Sequence, residues 1–409
     1  MAWKALTRAG WKSPPLSVLP SGMNDPRVDK LADVLVQYSA KVKKGDIVGI
    51  SADPAAEPLT QAVMRSVIKA GGLPFVTPRW AYYKESMLEF ASDEQLSSLH
   101  PLLKAYIDTV NVHFSLWAEE NTRSLSRYDT KRQQKLAQAY KPFLNVFMER
   151  AALPWADPKR LRWIGTQFPT NASAQDAEMN LRQYENFVYG AGLLHLEDPA
   201  KAWQEIFQRQ EKVRAYLQTK KVLHFKAPAC DGHDGTDLRV DVSKSTWINC
   251  AGQENFPDGE VFAGPGAVDG HVNYTFPAVY NGMEVLGVRL RFKDGRVVDA
   301  SAAKNEDYLI KMLDQDAGAR NLGEIAIGTN YSIKDFSRNT LFDEKIGGTF
   351  HAAVGAGYPE SGSSNQSALH WDMVCDLRPR KARDGSQVAG GTISADGEVF
   401  HRDGQFVNL

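Results

Sequence analysis

The chain is poor in cysteine: Cys230, Cys250 and Cys375 are the only 3 in 409 residues, too few and too scattered for a disulfide framework or a cysteine-rich zinc site. It also lacks an excess of either charge. With 48 lysines and arginines against 49 aspartates and glutamates, the formal net charge is -1, and the cationic balance that phosphate-backbone binding brings is missing. Nucleic acid is therefore not an expected partner. No stretch approaches the roughly 20 apolar residues that span a bilayer. Residues 1–23 are interrupted by Lys4, Arg8, Lys12, Pro14 and Pro15 before an apolar run reaches signal-peptide length. Familiar motifs are missing as well: there is no His-Glu-x-x-His helix, no Gly-x-x-x-x-Gly-Lys loop and no Gly-x-Ser-x-Gly elbow. The glycines of residues 232–235 make a turn and no dinucleotide pattern. Internal repeats and low-complexity tracts are absent. A reducing, cytoplasmic setting without membrane or nucleic acid is the expectation.

What is present is enough to build large cores. Hydrophobic residues make up 43% of the chain and aromatics 10%, and the length argues for two domains. The first half alternates helices and strands. Asn24 or Asp25 can cap a helix in which Val28, Leu31, Leu35 and Val42 recur at helical spacing until Gly45. A strand over residues 47–50, a helix over 59–70 and a strand over 73–76 then make a βαβ unit, for which parallel pairing is the default. Residues 163–165 read as another strand, followed by a polar stretch and a further helix. Asp198 caps a helix over residues 199–217, and after a strand at 222–225 the pattern changes. Short strands follow at 238–242, 273–276 and 285–292, the last joined through Asp294-Gly295 to Val297-Val298 in a hairpin signature. Only residues 305–313 read as a clear helix there. The expected fold is an α/β N-terminal domain with a parallel sheet over residues 1–220. A mainly antiparallel β (α+β) metal-binding domain over 221–409 would follow it.

Candidate ligands gather in the second domain. His370-Trp371-Asp372 places two metal-binding groups on alternate residues, so a strand would aim both to one face with Trp371 packed behind. Glu260 and Glu324 each precede an apolar run, at what reads as a loop-to-strand edge. His351 lies in a glycine-dense segment, where backbone can approach a ligand closely or simply turn. Glu344 is a further ligand or a partner of Lys345, and Asp376 is spaced to orient a histidine ligand from behind. Tyr358 is a candidate donor to an oxyanion. Each alone more often reads as structural, and the argument rests on the cluster. Carboxylates mixed with imidazole suit zinc, cobalt or manganese, and pairs of such ions make a hydroxide nucleophile near neutral pH. His100, His113 and His195 lie in the first half without matching carboxylates and read as structural or exposed.

The motifs Gly259-Glu260-Val261-Phe262, Gly323-Glu324-Ile325-Ala326-Ile327-Gly328, Phe342-Asp343-Glu344-Lys345, Gly347-Gly348-Thr349-Phe350-His351, Gly357-Tyr358-Pro359-Glu360 and Ser367-Ala368-Leu369-His370-Trp371-Asp372-Met373 occur in that order. In this the chain resembles the M29 family of metallo-aminopeptidases, the aminopeptidase T group. The resemblance implies a two-domain homodimer acting on peptides with a free N-terminus. It implies two divalent ions (zinc, cobalt, manganese or magnesium) held by Glu260, Glu324, Glu344, His351, His370 and Asp372. Glu260 or Glu324 would be the general base and Tyr358 a catalytic tyrosine. One departure is that Ala263-Gly264-Pro265 replaces the more usual Thr-Ala-Pro beyond the first glutamate, a change to substrate contacts rather than to ligands. The His-x-Asp segment also resembles mononuclear iron dioxygenases that cleave dihydroxypyridine rings, and a non-catalytic metal-binding homologue is a further alternative.

Overall fold

The computed structural model describes residues 25–230, 232–382 and 384–409. Asn24 lies outside them, and Asp25 is the cap of Pro26–Asp33, accepting a hydrogen bond from the Arg27 N–H. The helix does not run to Gly45 as expected. It widens into a π-helical turn at Val34–Ser39 and stops where Lys41 takes a φ of 48°. Val42 lies beyond the helix but still packs against the same core.

Five parallel strands form the first sheet, in the order Leu73–Pro78, Ile47–Ala52, Val112–Trp117, Arg162–Gln167 and Asn255–Phe256. Val48, Ile50, Val112, Phe114, Leu116 and Ile164 are fully buried, as inner strands covered by helices on both faces must be. The polar stretch at 170–175 is itself mostly helical, Asn171–Asp176 capped by Thr170, and Leu181–Ala191 follows. Strand Val112–Trp117 and the helices between residues 81 and 151 are additions to the expected pattern. So is Asn255–Phe256, a two-residue strand contributed from well past residue 220.

The helix Pro199–Gln218, capped by Asp198, belongs to both halves: Trp203 packs into the first core, and Val213 and Leu217 into the second. Beyond it lie two large antiparallel sheets and two small two-stranded ones. The larger has eight strands, ordered Arg296–Ser301, Arg289–Lys293, Val268–Asn273, Thr236–Asp241, Val222–Ala227, Thr392–Ala395, Glu398–Arg402, Gln405–Phe406. The expected strand at 273–276 is in fact Val268–Asn273, and the one at 285–292 is split into Met283–Val285 and Arg289–Lys293 where Gly287 takes a φ of +64°. The hairpin is as expected, with Asp294 and Gly295 at φ 50° and 82°, as a two-residue primed turn demands.

The second sheet has six strands. His370–Trp371, Thr349–Gly355, Leu322–Gly328, Glu260–Ala263 and Ile248–Cys250 lie side by side, and Val374–Asp376 also pairs with Thr349–Gly355. Strand alternation sends Val261, Ala263, Ile325, Ile327, Phe350, Ala352 and Val354 into the core shared with the larger sheet, where Phe350 meets Phe225 at a ring separation of 4.5 Å. Burying each of these valine, isoleucine and phenylalanine side chains contributes about 1.5–3 kcal/mol. The same alternation turns Glu260, Glu324 and His351 to the opposite face.

Candidate metal centre

Glu260 opens its strand, as expected. Glu324 does not sit at a strand mouth: it is the third residue of Leu322–Gly328, directly after a bulge at Gly323. A β-carbon on Gly323 would lie 2.4 Å from the carbonyl oxygens of Gly355 and Ala356, so glycine is what lets the chains close there. His351 is also inside a strand, Thr349–Gly355, opposite Ala326. Glu344 follows the short helix Thr340–Asp343, and Asp372 leaves the two-residue strand His370–Trp371. Trp371 packs behind, against Tyr280 and Tyr308, with ring centroids 5.4 and 6.2 Å away.

These residues converge. His351 Nε2 lies 3.3 Å from Glu324 Oε1, 3.4 Å from Glu260 Oε2 and 3.9 Å from Asp372 Oδ1. His370 Nε2 lies 3.5 Å from Asp372 Oδ1 and 3.7 Å from Glu324 Oε2. Each imidazole is fixed from its far side by a main-chain carbonyl: His351 Nδ1–H donates to Glu344 O at 3.0 Å and His370 Nδ1–H to Ala356 O at 2.7 Å. That tautomer leaves Nε2 of both free to bind a cation. Three donor triads result, Glu260–Glu324–His351, Glu324–His370–Asp372 and Glu344–His351–Asp372, each with its ligand atoms within 4.8 Å of one another.

The cluster is buried and short of positive charge. Burial raises the pKa of Glu260, and Lys345 and His351 offset this only in part; the same is true of Glu344 with Lys345. Burial opposes protonation of His351 and His370, yet the surrounding carboxylates push them up to about 9 and about 10. Glu260 Oε2 and Asp372 Oδ1 are buried without a hydrogen-bond partner, a cost that cation binding removes. Oxygen and imidazole donors, unpartnered oxygens and Nε2 atoms all turned inward fit divalent ions of the zinc, cobalt and manganese type.

Tyr358 stands beside this cluster, its ring 5.3 Å from that of His370 and 5.6 Å from that of Phe262. A small cleft opens at Glu344 and Asp372, lined by Pro277, Val279, Phe336 and Val374 together with the polar Arg338 and Thr340. Asp376 does not orient a histidine. It pairs with Arg378 at 2.9 Å and lies opposite Thr349, two residues before His351 at the start of that strand. His100 is exposed and caps a helix, His195 is exposed, and His113 is bonded to Tyr106 and Ser115. Sequence reading missed Asp258 and the full part of Lys345: the Lys345 ammonium reaches Glu260 at 2.5 Å as well as Glu344 at 2.7 Å, with Asp258 at 3.7 Å.

A sequence model of thermophilic metalloproteases, M29, matches residues 24–406. The chain belongs to that family. Among relatives of this metalloprotease, Aminopeptidase 2 of Geobacillus stearothermophilus is 29% identical over 387 residues, covering 85% of this chain and 91% of that one. The solved wild-type AmpT of Thermus thermophilus superposes with a TM-score of 0.75 at 24% identity, over 93% of this chain and 99% of that one. The fold also extends to a 2,5-dihydroxypyridine dioxygenase of Pseudomonas putida, with a TM-score of 0.56 at 11% identity over 95% and 99% of the two chains.

Proposed function

We propose that this metalloprotease is an aminopeptidase that releases N-terminal residues from peptides with a free N-terminus. It would hold two divalent ions, zinc, cobalt, manganese or magnesium, among Glu260, Glu324, Glu344, His351, His370 and Asp372. The observation that carries the reading is the overlap of the donor triads: Glu324, His351 and Asp372 each serve two of them, whereas one ion takes about three or four protein donors. Glu324 is best placed to bridge, with Oε1 toward His351 and Oε2 toward His370. Charge agrees. With both imidazoles neutral, as ligands must be, the carboxylates of Asp258, Glu260, Glu324, Glu344 and Asp372, less the ammonium of Lys345, carry four formal negative charges, which match two divalent ions. Relatives named as aminopeptidases support the substrate class.

Bound here, such ions supply an acidified water near neutral pH and polarise a carbonyl group. The remaining work belongs to the chain. An oxygen of Glu260 or Glu324 that no ion takes would accept the proton of the attacking water, and Tyr358 donates its phenolic hydrogen to the developing oxyanion. The two main-chain carbonyls hold the imidazoles still throughout. The free α-amino group of a peptide, once deprotonated, is a nitrogen donor that such ions would accept, which favours the first residue over internal bonds. The cleft beside Glu344 offers that residue's side chain an apolar wall.

The assembly that goes with this reading is a cytoplasmic homodimer of two-domain chains divided near residue 220. Among the described residues no helix is long and apolar enough to cross a membrane. Light scattering is expected to give twice the 45.4 kDa of one chain, and a monomer at micromolar concentration counts against the dimer. Elemental analysis with anomalous scattering tests the centre itself, with two ions expected roughly 3.5–4 Å apart. One ion held only by His351, His370 and Asp372 would overturn the dinuclear reading and favour the iron dioxygenase chemistry. Bound metal without activity on any free-amino peptide would leave a non-catalytic homologue.

A further inference from the structure

Lys345 is the one lysine or arginine among the described residues in contact with the donor cluster, and it is 2% exposed. It is not there by chance of a flexible stem. Its own carbonyl accepts from the Asn330 N–H at 3.0 Å, and the Asn330 side chain donates to Asp258 O at 2.9 Å, so one asparagine ties the lysine backbone to the neighbouring acid. Asp258 in turn accepts from the N–H groups of Gly252 and Gly259, both at 2.9 Å. The ammonium is thereby held against one particular oxygen of each glutamate: Oε1 of Glu260 and Oε1 of Glu344. For Glu260 the division is complete. Oε1 is taken by the lysine, and Oε2 is buried, without a partner, and 3.4 Å from His351 Nε2.

We propose that Lys345 is a positioning residue that restricts Glu260 and Glu344 to one ligand oxygen each. A carboxylate with both oxygens free can grip an ion through two, which tightens binding and raises the electron density given to the metal. A charge-assisted hydrogen bond on one oxygen prevents this and draws density away. The lysine therefore weakens ion binding while keeping the centre acidic enough to act on water. This inference rests on the metal reading above, and its test separates the two.

The experiment is zinc binding by the whole protein, measured by competition with a chromophoric chelator, in wild type and Lys345→Met. The variant should bind zinc roughly tenfold more tightly, because it removes a positive charge held a few ångströms from the ion, while kcat on leucine amide falls and KM stays within about twofold. Its cobalt-substituted form should absorb visible light more weakly than wild type, as added oxygen ligands raise the coordination number. A lysine that only supports the fold predicts the opposite sign, weaker zinc binding. If Lys345→Met does not fold, Lys345→Gln removes the same charge and is expected to shift zinc affinity in the same direction. Wild type that takes up zinc, with a variant binding it no more tightly, overturns this inference alone. Wild type that takes up no divalent ion overturns the metal reading and this inference with it.

Discussion

Tyr358 carries the sharpest residue-level expectation. One well-placed donor to an oxyanion is worth about 3–4 kcal/mol, so Tyr358→Phe should lower turnover on leucine amide roughly 10²–10³-fold with metal content unchanged. Equal turnover would remove the phenol from the chemistry. His401 makes a different prediction, away from the site. It is fully buried with neither ring nitrogen hydrogen-bonded, and burial pushes its pKa down to about 3 from 6.5. Below pH 6.5 the unfolded chain therefore binds a proton that the folded chain does not, and stability drops as pH falls. The loss attributable to this residue is about 2 kcal/mol by pH 5 or so. The urea midpoint of His401→Phe should consequently decline less than that of wild type between pH 7 and 5, and parallel curves would refute the assignment. At this scale the ligand candidates were legible because hard donors are distinctive residue types in short motifs. Lys345 was only half legible. Its neighbour Glu344 is adjacent in sequence, but its contact with Glu260 spans 85 positions and leaves no local trace.

Elements were legible where a local rule governs them. Asp198 announces its helix because a side chain must satisfy free N–H groups at that end, and Asp294-Gly295 announces its hairpin through positive φ. The segment from residue 81 to 151 was not legible, since its helices are short and leave Phe90 77% and Leu102 73% exposed, which blurs their periodicity. The bulge at Gly323 was illegible too, because the need for glycine comes from the facing strand. That need can be tested. In Gly323→Ala the new methyl must push against two carbonyl oxygens, at a cost of about 1–3 kcal/mol, and the displacement falls on Glu324, the next residue. The variant should lose zinc at concentrations that saturate wild type while keeping its far-ultraviolet dichroism. Full zinc retention would mean the strand absorbs the methyl without moving its glutamate.

For the molecule as a whole, the α/β half and the antiparallel half were both visible in the change of pattern along the chain. Their joining was not, because a two-residue strand has no periodicity to detect. The charge imbalance at the centre links metal to global stability. A chelator should lower the melting temperature, and zinc at about a hundred times its Kd should restore about 2.7 kcal/mol if the unfolded chain binds it weakly. A melting temperature indifferent to chelation would show that the acids are satisfied without a cation.

The strand Asn255–Phe256 also bears on how members of such a family can exchange parts. It completes the first sheet beside Arg162–Gln167, and Asp258 and Glu260 follow within four residues. A recombinant that takes its N-terminal half from one parent and everything after residue 220 from another would inherit a sheet edge from the wrong lineage, right next to its ligands. Moving residues 255–257 with the N-terminal half should rescue such chimaeras. Inheritance in this protein would then follow the sheet rather than the order of the chain.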